Sequence, residues 1–226
     1  MNDLNENGCI FLQSVYTKNN MNKILDEFIQ FYIGNNIQEE LNKREDVSKQ
    51  NYYVNNTYNL LNCYEKMQYY YLPVIDNRIG HNRIVDVGVI DIFNISKLLA
   101  SIHEIIEIDV LLSIINKLTN KEWKFLRMNL QINNNVKNPN QYHYIDKEII
   151  KVSVLLNDIN ENTGGGISYI HGSHINKKIS NNNMKNFYGS CGDVFINYQN
   201  GYHKKMQQQN SIHYFLNLFF EIKNKK

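Results

Sequence analysis

The sequence predicts a mainly β fold with flanking helices, in which a helical face from the N-terminal part packs on an antiparallel double sheet. Three observations carry this prediction. From Trp123 onward, residues alternate with period two or form short β-branched and aromatic runs. Apolar residues at helical spacing are confined to the first 120 residues. The runs of the second part are separated by Asn-Asp, Gly-Gly-Gly and Asn-rich turns.

Taken in order, Cys9-Ile-Phe-Leu reads as a strand, the polar residues around Lys18 as a cap, and Ile24, Leu25, Phe28, Ile29 and Tyr32 as one face of a helix. Residues 35–68 are polar and without clean periodicity. Between Ile95 and Leu118 the spacing predicts two short helices broken near Ile108-Asp109. From Trp123 the alternation places Lys124, Leu126, Met128, Leu130 and Ile132 on one strand face and Phe125, Arg127, Asn129 and Gln131 on the other. Four further strands are predicted over residues 149–156, 166–170, 192–198 and 212–222, with Ser180-Asn-Asn-Asn-Met as a surface loop. No internal repeat is visible. The chain reads as one domain, 1–226, with a mainly helical part over 1–120 and a sheet core over 121–226.

Composition narrows the function classes. With 24 Lys and Arg against 22 Asp and Glu, the formal charge is +2, which gives no basic surface for nucleic acid. Cys9, Cys63 and Cys191 are spaced for neither a disulfide framework nor a zinc ribbon. The first residues show no basic and apolar leader, and no apolar run is long enough to cross a membrane. A cytoplasmic protein with no nucleic-acid or membrane partner is expected. Asn, Ile, Lys and Tyr are abundant whereas Ala100 is the single alanine, a pattern of nucleotide bias, so Asn-rich patches are discounted as functional signals.

Of the seven histidines, five fall in the strand-rich half. Gln141-Tyr-His143-Tyr-Ile-Asp146 puts an imidazole and a carboxylate in one short segment between two predicted strands, and His203 follows a later strand. Two histidines and one carboxylate can occupy one face of an octahedral metal, leaving three positions for a bidentate cosubstrate and dioxygen. The plain alternative is an ordinary loop hydrogen bond for His143 and Asp146 and a turn role for His203. His171 and His174 form an H-x-x-H pair, but Gly172-Ser173 between them reads as a tight turn that the second histidine pins by a hydrogen bond. The run Gly164-Gly-Gly lacks a following Gly-Lys-Ser/Thr and opens a strand, so it reads as a hairpin turn and not a phosphate loop.

Together these segments resemble the phytanoyl-CoA dioxygenase family of Fe(II)/2-oxoglutarate oxygenases over most of the chain. Asn5-Glu-Asn-Gly-Cys-Ile-Phe-Leu is similar to that family's opening strand, and His143 with Asp146 to its metal-binding histidine and carboxylate. Lys151-Val-Ser-Val-Leu-Leu-Asn-Asp and Gly172-Ser-His resemble its central strand and "G-S-H" signature. Gly192-Asp-Val-Phe-Ile-Asn-Tyr and His203 resemble its "G-D" strand and distal metal histidine.

The resemblance implies a double-stranded β-helix (a cupin-like jelly roll) with an N-terminal helical face. It also implies an Fe(II)- and 2-oxoglutarate-dependent oxygenase that uses dioxygen to hydroxylate a C–H bond of a small molecule. His143, Asp146 and His203 would then be both the metal ligands and the catalytic residues. Two departures from the family pattern stand out. The family has H-x-D, whereas Ile145 stands two residues after His143 and Asp146 three after. The family's arginine for the far carboxylate of 2-oxoglutarate is replaced at its position by His213, and an imidazole cannot reproduce a guanidinium fork. His213, Arg127 and Asn129 are therefore the candidate cosubstrate contacts, with Lys205 as a further cation.

Both departures keep open a non-catalytic relative that binds a small molecule or a partner. A third reading, an assembly role for tyrosines such as Tyr52-Tyr53 and Tyr69-Tyr70-Tyr71, rests on composition alone. Substrate choice would lie with residues 35–88 and 177–186.

Overall fold

A computed structural model describes residues 3–34, 58–59, 68–75, 84–93, 95–97, 99–137, 145, 147–177, 183–208 and 211–223. The N-terminal elements are α1 (Asp3–Asn7), β1 (Cys9–Leu12) and α2 (Lys18–Gly34). Strands β2 (Tyr58–Asn59), β3 (Gln68–Ile75) and β4 (Ile84–Phe93) follow, then a 3₁₀ turn (Ile95–Lys97), α3 (Ala100–Ile105) and α4 (Ile108–Thr119). The second part holds β5 (Trp123–Lys137), β6 (Ile149–Leu155), β7 (Ile167–Ile170), the short α5 (Ser173–Asn176) and β8 (Met184–Phe187). It closes with β9 (Val194–Tyr198), β10 (His203–Lys205) and β11 (Ile212–Ile222).

Two antiparallel sheets result. The larger runs β1-β9-β6-β11-β5-β4-β3-β2 and the smaller β10-β7-β8. The last strand, β11, sits between β6 and β5, with Leu216 opposite Val154 on one side and Leu130 on the other. Even-numbered β11 residues Leu216, Leu218 and Phe220 enter the main core with Met128, Leu130 and Ile132 of β5 and Val152 and Val154 of β6. Met21, Ile24 and Phe28 of α2 and Leu111 and Ile115 of α4 cover that face.

The opposite face meets the small sheet. Tyr169 packs with Cys9 and Phe195. Leu155 and Phe215 pack with Ile159, and Ile167 lies against them. The molecule is thus a mainly antiparallel β structure with a helical layer on one side, as the periodicity predicts. No helix among the described residues is long and apolar enough to cross a membrane.

Local details follow from sequence. Thr17 begins α2, its Oγ1 accepting the Asn20 amide at 3.2 Å. Glu27 of α2 caps a different helix, accepting the amides of Ala100 at 2.9 Å and Ser101 at 3.0 Å. The break between α3 and α4 falls at Ile106-Glu107, two residues ahead of the expected one.

Three features differ from the sequence reading. A register shift at Leu126, where Phe219 faces Arg127 and Phe220 faces Phe125, reverses the phase of β5. Lys124 and Leu126 are therefore exposed instead of joining Met128 in the core. Strands β3 and β4 extend the large sheet where none was expected, because Tyr69-Tyr-Tyr-Leu-Pro73-Val is a continuous run containing a proline. The irregularity between Leu72 and Val74 spares Pro73 a ladder bond it cannot donate. The third feature is β8, which begins inside the tract expected to be a surface loop.

Because Leu216 is fully buried in the strand that joins β5 to β6, Leu216→Ala is expected to cost about 2–5 kcal/mol. Urea denaturation followed by far-UV circular dichroism checks this, with an unchanged m-value.

Candidate active site

The three short motifs of the sequence converge on one corner. Gly172, at φ +74°, turns the chain after β7, and its amide donates to Asn7 O at 3.0 Å. His174 Nε2 donates to Asn5 O at 2.9 Å, and its ring stacks on Tyr198 at 5.0 Å between centroids. This is the pinning role the sequence predicts for it. Ser173 Oγ donates to Ile170 O at 2.6 Å and accepts the Tyr202 amide at 2.8 Å. The motif therefore holds the backbone immediately before His203.

Asp193 of the "G-D" pair is buried, and its two carboxylate oxygens accept the amides of Ser14 at 2.7 Å and Ser190 at 2.8 Å. It shapes the turn into β9. Gly192, at φ +95°, packs against Tyr16 O so closely that a Cβ has no room.

His203 opens β10 opposite Tyr169, its ring parallel to the tyrosine at 6.4 Å. Tyr169 is fully buried and donates its hydroxyl to Tyr198 O at 3.1 Å. His203 Nδ1 contacts Gly201 O at 2.8 Å. A carbonyl only accepts, so Nδ1 carries a proton; in the neutral ring the lone pair is then on Nε2, the tautomer a metal ligand requires. Gly201 makes this possible, since a Cβ there would collide with the Tyr169 hydroxyl.

His203 borders a cavity of about 190 Å³ between the two sheets. Its floor is the concave face of the large sheet, with Gln131 and Asn133 from β5, Lys151 from β6, Asn197 and Gln199 around the end of β9, and Phe215 and Phe219 from β11. Gly165, Ile167 and the β10 residues Lys204 and Lys205 complete it. Among the described residues no acidic side chain lines it. Three lysines and four amides with apolar walls suit a small anion.

The expected site residues are distributed as follows. His203 lies at the cavity; His143 and Asp146 lie outside the described residues. Between those two in sequence, the half-buried Ile145 donates its amide at 2.9 Å to the carbonyl of Gln199, a residue that lines the cavity. No group of three metal-ligating side chains occurs among the described residues.

Asn129 is buried on the concave face opposite Asn217, whose Oδ1 accepts from Ser153 Oγ at 2.8 Å. Arg127 is exposed at the outer end, its guanidinium 4.8 Å from the Phe219 ring centre. His213 is 1% exposed and sits behind Gly165, where an added Cβ would lie 2.5 Å from its Cδ2. Its Nε2 pairs with Ser211 Oγ at 3.1 Å. Sequence reasoning passed over Lys151, Asn133, Asn197 and Gln199. The signal available for the asparagines was a polar residue interrupting an apolar strand, as Asn217 does in Phe215-Leu-Asn-Leu, and the composition argument had discounted it.

No protein-family profile and no curated protein sequence matches this chain. Solved structures do. The non-heme α-ketoglutarate-dependent epimerase SnoN from nogalamycin biosynthesis superposes with a TM-score of 0.62 at 8% identity, covering 97% of this chain and 80% of that one. The nickel complex of the non-heme monooxygenase ThoJ gives 0.61 at 13%, covering 97% and 76%. HygX from Streptomyces hygroscopicus, with nickel and 2-oxoglutarate bound, gives 0.53 at 12%, covering 97% and 84%. SnoN has also been solved with Fe3+, α-ketoglutarate and nogalamycin RO. At these identities the likeness establishes a shared fold; SnoN and ThoJ are non-heme enzymes, and HygX holds nickel and 2-oxoglutarate.

Burial holds the imidazoles of His174 and His213 below their ordinary range. The unfolded chain therefore binds protons near pH 6.5 that the folded chain refuses. Stability is full above that pH and falls as the pH drops through it toward the folded-state values. The urea midpoint is expected to decline between about pH 7.5 and 5.5. In His174→Gln, which keeps a donor but cannot titrate, the decline should be shallower.

Proposed function

We propose that this chain is an Fe(II)- and 2-oxoglutarate-dependent oxygenase of the double-stranded β-helix type, hydroxylating a C–H bond of a small molecule. The observation that carries the reading is His203, oriented through Nδ1 by Gly201 O, at the edge of a cavity whose lining is cationic and amide-rich. The neighbours with the same fold hold nickel or iron and 2-oxoglutarate, which supports the same pair of cofactors here. His143 and Asp146, with His203, are the proposed ligands, from the resemblance of Gln141-Tyr-His143-Tyr-Ile-Asp146 to the family's motif.

The residues present fit such a centre. When bound, iron with 2-oxoglutarate supplies the activation of dioxygen. His203 offers a lone pair at Nε2, and its ring cannot rotate freely because it is bonded at Nδ1 and stacked on Tyr169. Tyr169 is itself fixed by Tyr198 O, and the peptide before His203 by Ser173. Lysines around the cavity balance the charge of an acid cosubstrate, while Phe215, Phe219 and Ile167 exclude water from one side of it. The amides of Gln131, Asn133 and Asn197 orient oxygens without carrying charge.

Anaerobic addition of Fe(II) and then 2-oxoglutarate is expected to raise the visible charge-transfer absorbance of the chelate, and His203→Ala to abolish it. Retention of the band in that variant overturns the ligand assignment. Absence of iron binding by the wild type points to a non-catalytic relative.

Gly201→Ala removes none of the proposed ligands but would put a Cβ well inside contact distance of the Tyr169 hydroxyl, so the ring stacked on His203 must shift. Metal affinity is expected to fall about ten- to a hundredfold, as for other losses of the groups that orient a ligand. Titration with Ni(II) by calorimetry measures this.

A further inference from the structure

We infer that Lys205, together with the side-chain amides of Gln131 and Asn133, holds the far carboxylate of the cosubstrate, a task that no residue of β11 performs in this chain. The inference rests on the oxygenase reading above and names the cation of that site.

His203 and Lys205 are two apart on β10, so both face the cavity and their side chains leave the strand about 6.7 Å apart. A lysine two residues along the same strand face from His203 has the reach to meet the far end of a five-carbon dicarboxylate whose keto-acid end sits at His203. The level of Lys205 in the cavity follows from the strand registers. Lys205 pairs with Ile167, which packs with Phe215 and Leu155, and Phe215 pairs with Gln131. Lys205 and Gln131 thus face each other across the cavity from the two sheets.

One residue pair deeper, Asn133 is 1% exposed, lines the cavity, and has an Oδ1 without a hydrogen-bond partner among the described residues. Turning that amide about its terminal bond places its NH2 donor where the unpartnered oxygen stood. A buried amide of this kind is costly unless a ligand completes it.

The other cations are placed worse. His213 lies behind Gly165 with its Nε2 on Ser211 Oγ, and burial keeps it neutral. Arg127 is exposed beyond Phe219. Lys151 has its Nζ 5.9 Å from the Phe219 ring centre and pairs with Phe219, two same-facing rows nearer the outer end than Phe215. Lys204 also borders the cavity, but alternation along β10 sends its side chain off the face that carries His203 and Lys205. A lysine offers a point charge where the usual guanidinium offers a fork. The two amides supply the direction that the lysine lacks.

The test is calorimetric titration of the Ni(II)-loaded, full-length protein, without turnover, using 2-oxoglutarate and 2-oxopentanoate, which has the same chain length but ends in a methyl group. Wild type is expected to prefer 2-oxoglutarate. In Lys205→Gln its affinity should fall about ten- to a hundredfold, as for loss of a charged hydrogen bond, to the level of 2-oxopentanoate, whose own affinity stays unchanged. Lys205→Arg should retain the preference, which separates loss of charge from misfolding. Unaltered 2-oxoglutarate binding in Lys205→Gln, an equal loss for both keto acids, or a loss confined to Lys151→Gln overturns the assignment while leaving the oxygenase reading intact. Failure of the wild type to bind either keto acid overturns the oxygenase reading itself.

Discussion

The register of β11 is the constraint on which the rest of the structure depends. This strand is zipped on one edge to β5 and on the other to β6. Its side chains alternate between two incompatible environments. Leu216, Leu218 and Phe220 enter the apolar layer under the helices, while Phe215, Asn217 and Phe219 face the space between the sheets. A slip of one residue would exchange the two sets, sending Asn217 into hydrocarbon and the leucines into the cavity. Burial of the apolar set therefore fixes the height of every polar residue across the concave face. Gln131, Asn133 and Lys151 inherit their positions from it through the ladders.

That concave face is expensive. Asn129, Ser153, Asn197 and Asn217 are all buried there, and each buried amide or hydroxyl costs roughly 1–3 kcal/mol unless its bonds are remade. Ser153 and Asn217 satisfy one another. The far end of the same surface, around Leu155, Phe195 and Phe11, is filled with apolar groups in the ordinary way. The same surface thus carries apolar groups that close the molecule and polar groups that line the cavity. Two glycines allow the close packing beside that cavity, Gly201 beneath Tyr169 and Gly165 against His213.

Much of this was legible in the chain. The strands from Trp123 onward follow from period-two alternation and β-branched runs, and the helices from Ile24, Phe28, Leu111 and Ile115 at helical spacing. The pinning role of His174 followed from the tight turn before it. What escaped prediction escaped for identifiable reasons. The three-residue strand at His203 is too short for periodicity, and Met184–Phe187, the other edge strand of the small sheet, begins in an asparagine tract. Strand β3 carries a proline that a local bulge tolerates. The cavity asparagines were masked by the general abundance of asparagine in the chain.

The sequence by itself determined which residues are apolar at which period, and through that the helical layer and the core strands, while the candidacy of His203 came from the resemblance of its segment to a known family. Those properties are local, set by side-chain size, branching and spacing along the backbone. Only the tertiary structure decided which polar groups share the cavity. Strands far apart in sequence are brought level by antiparallel pairing, and a register shift such as that at Leu126 changes which face a residue occupies. Lys205 and Gln131 thus line one cavity, whereas Arg127, on the same strand face as Gln131, lies further along β5 toward the outer end with its guanidinium over Phe219.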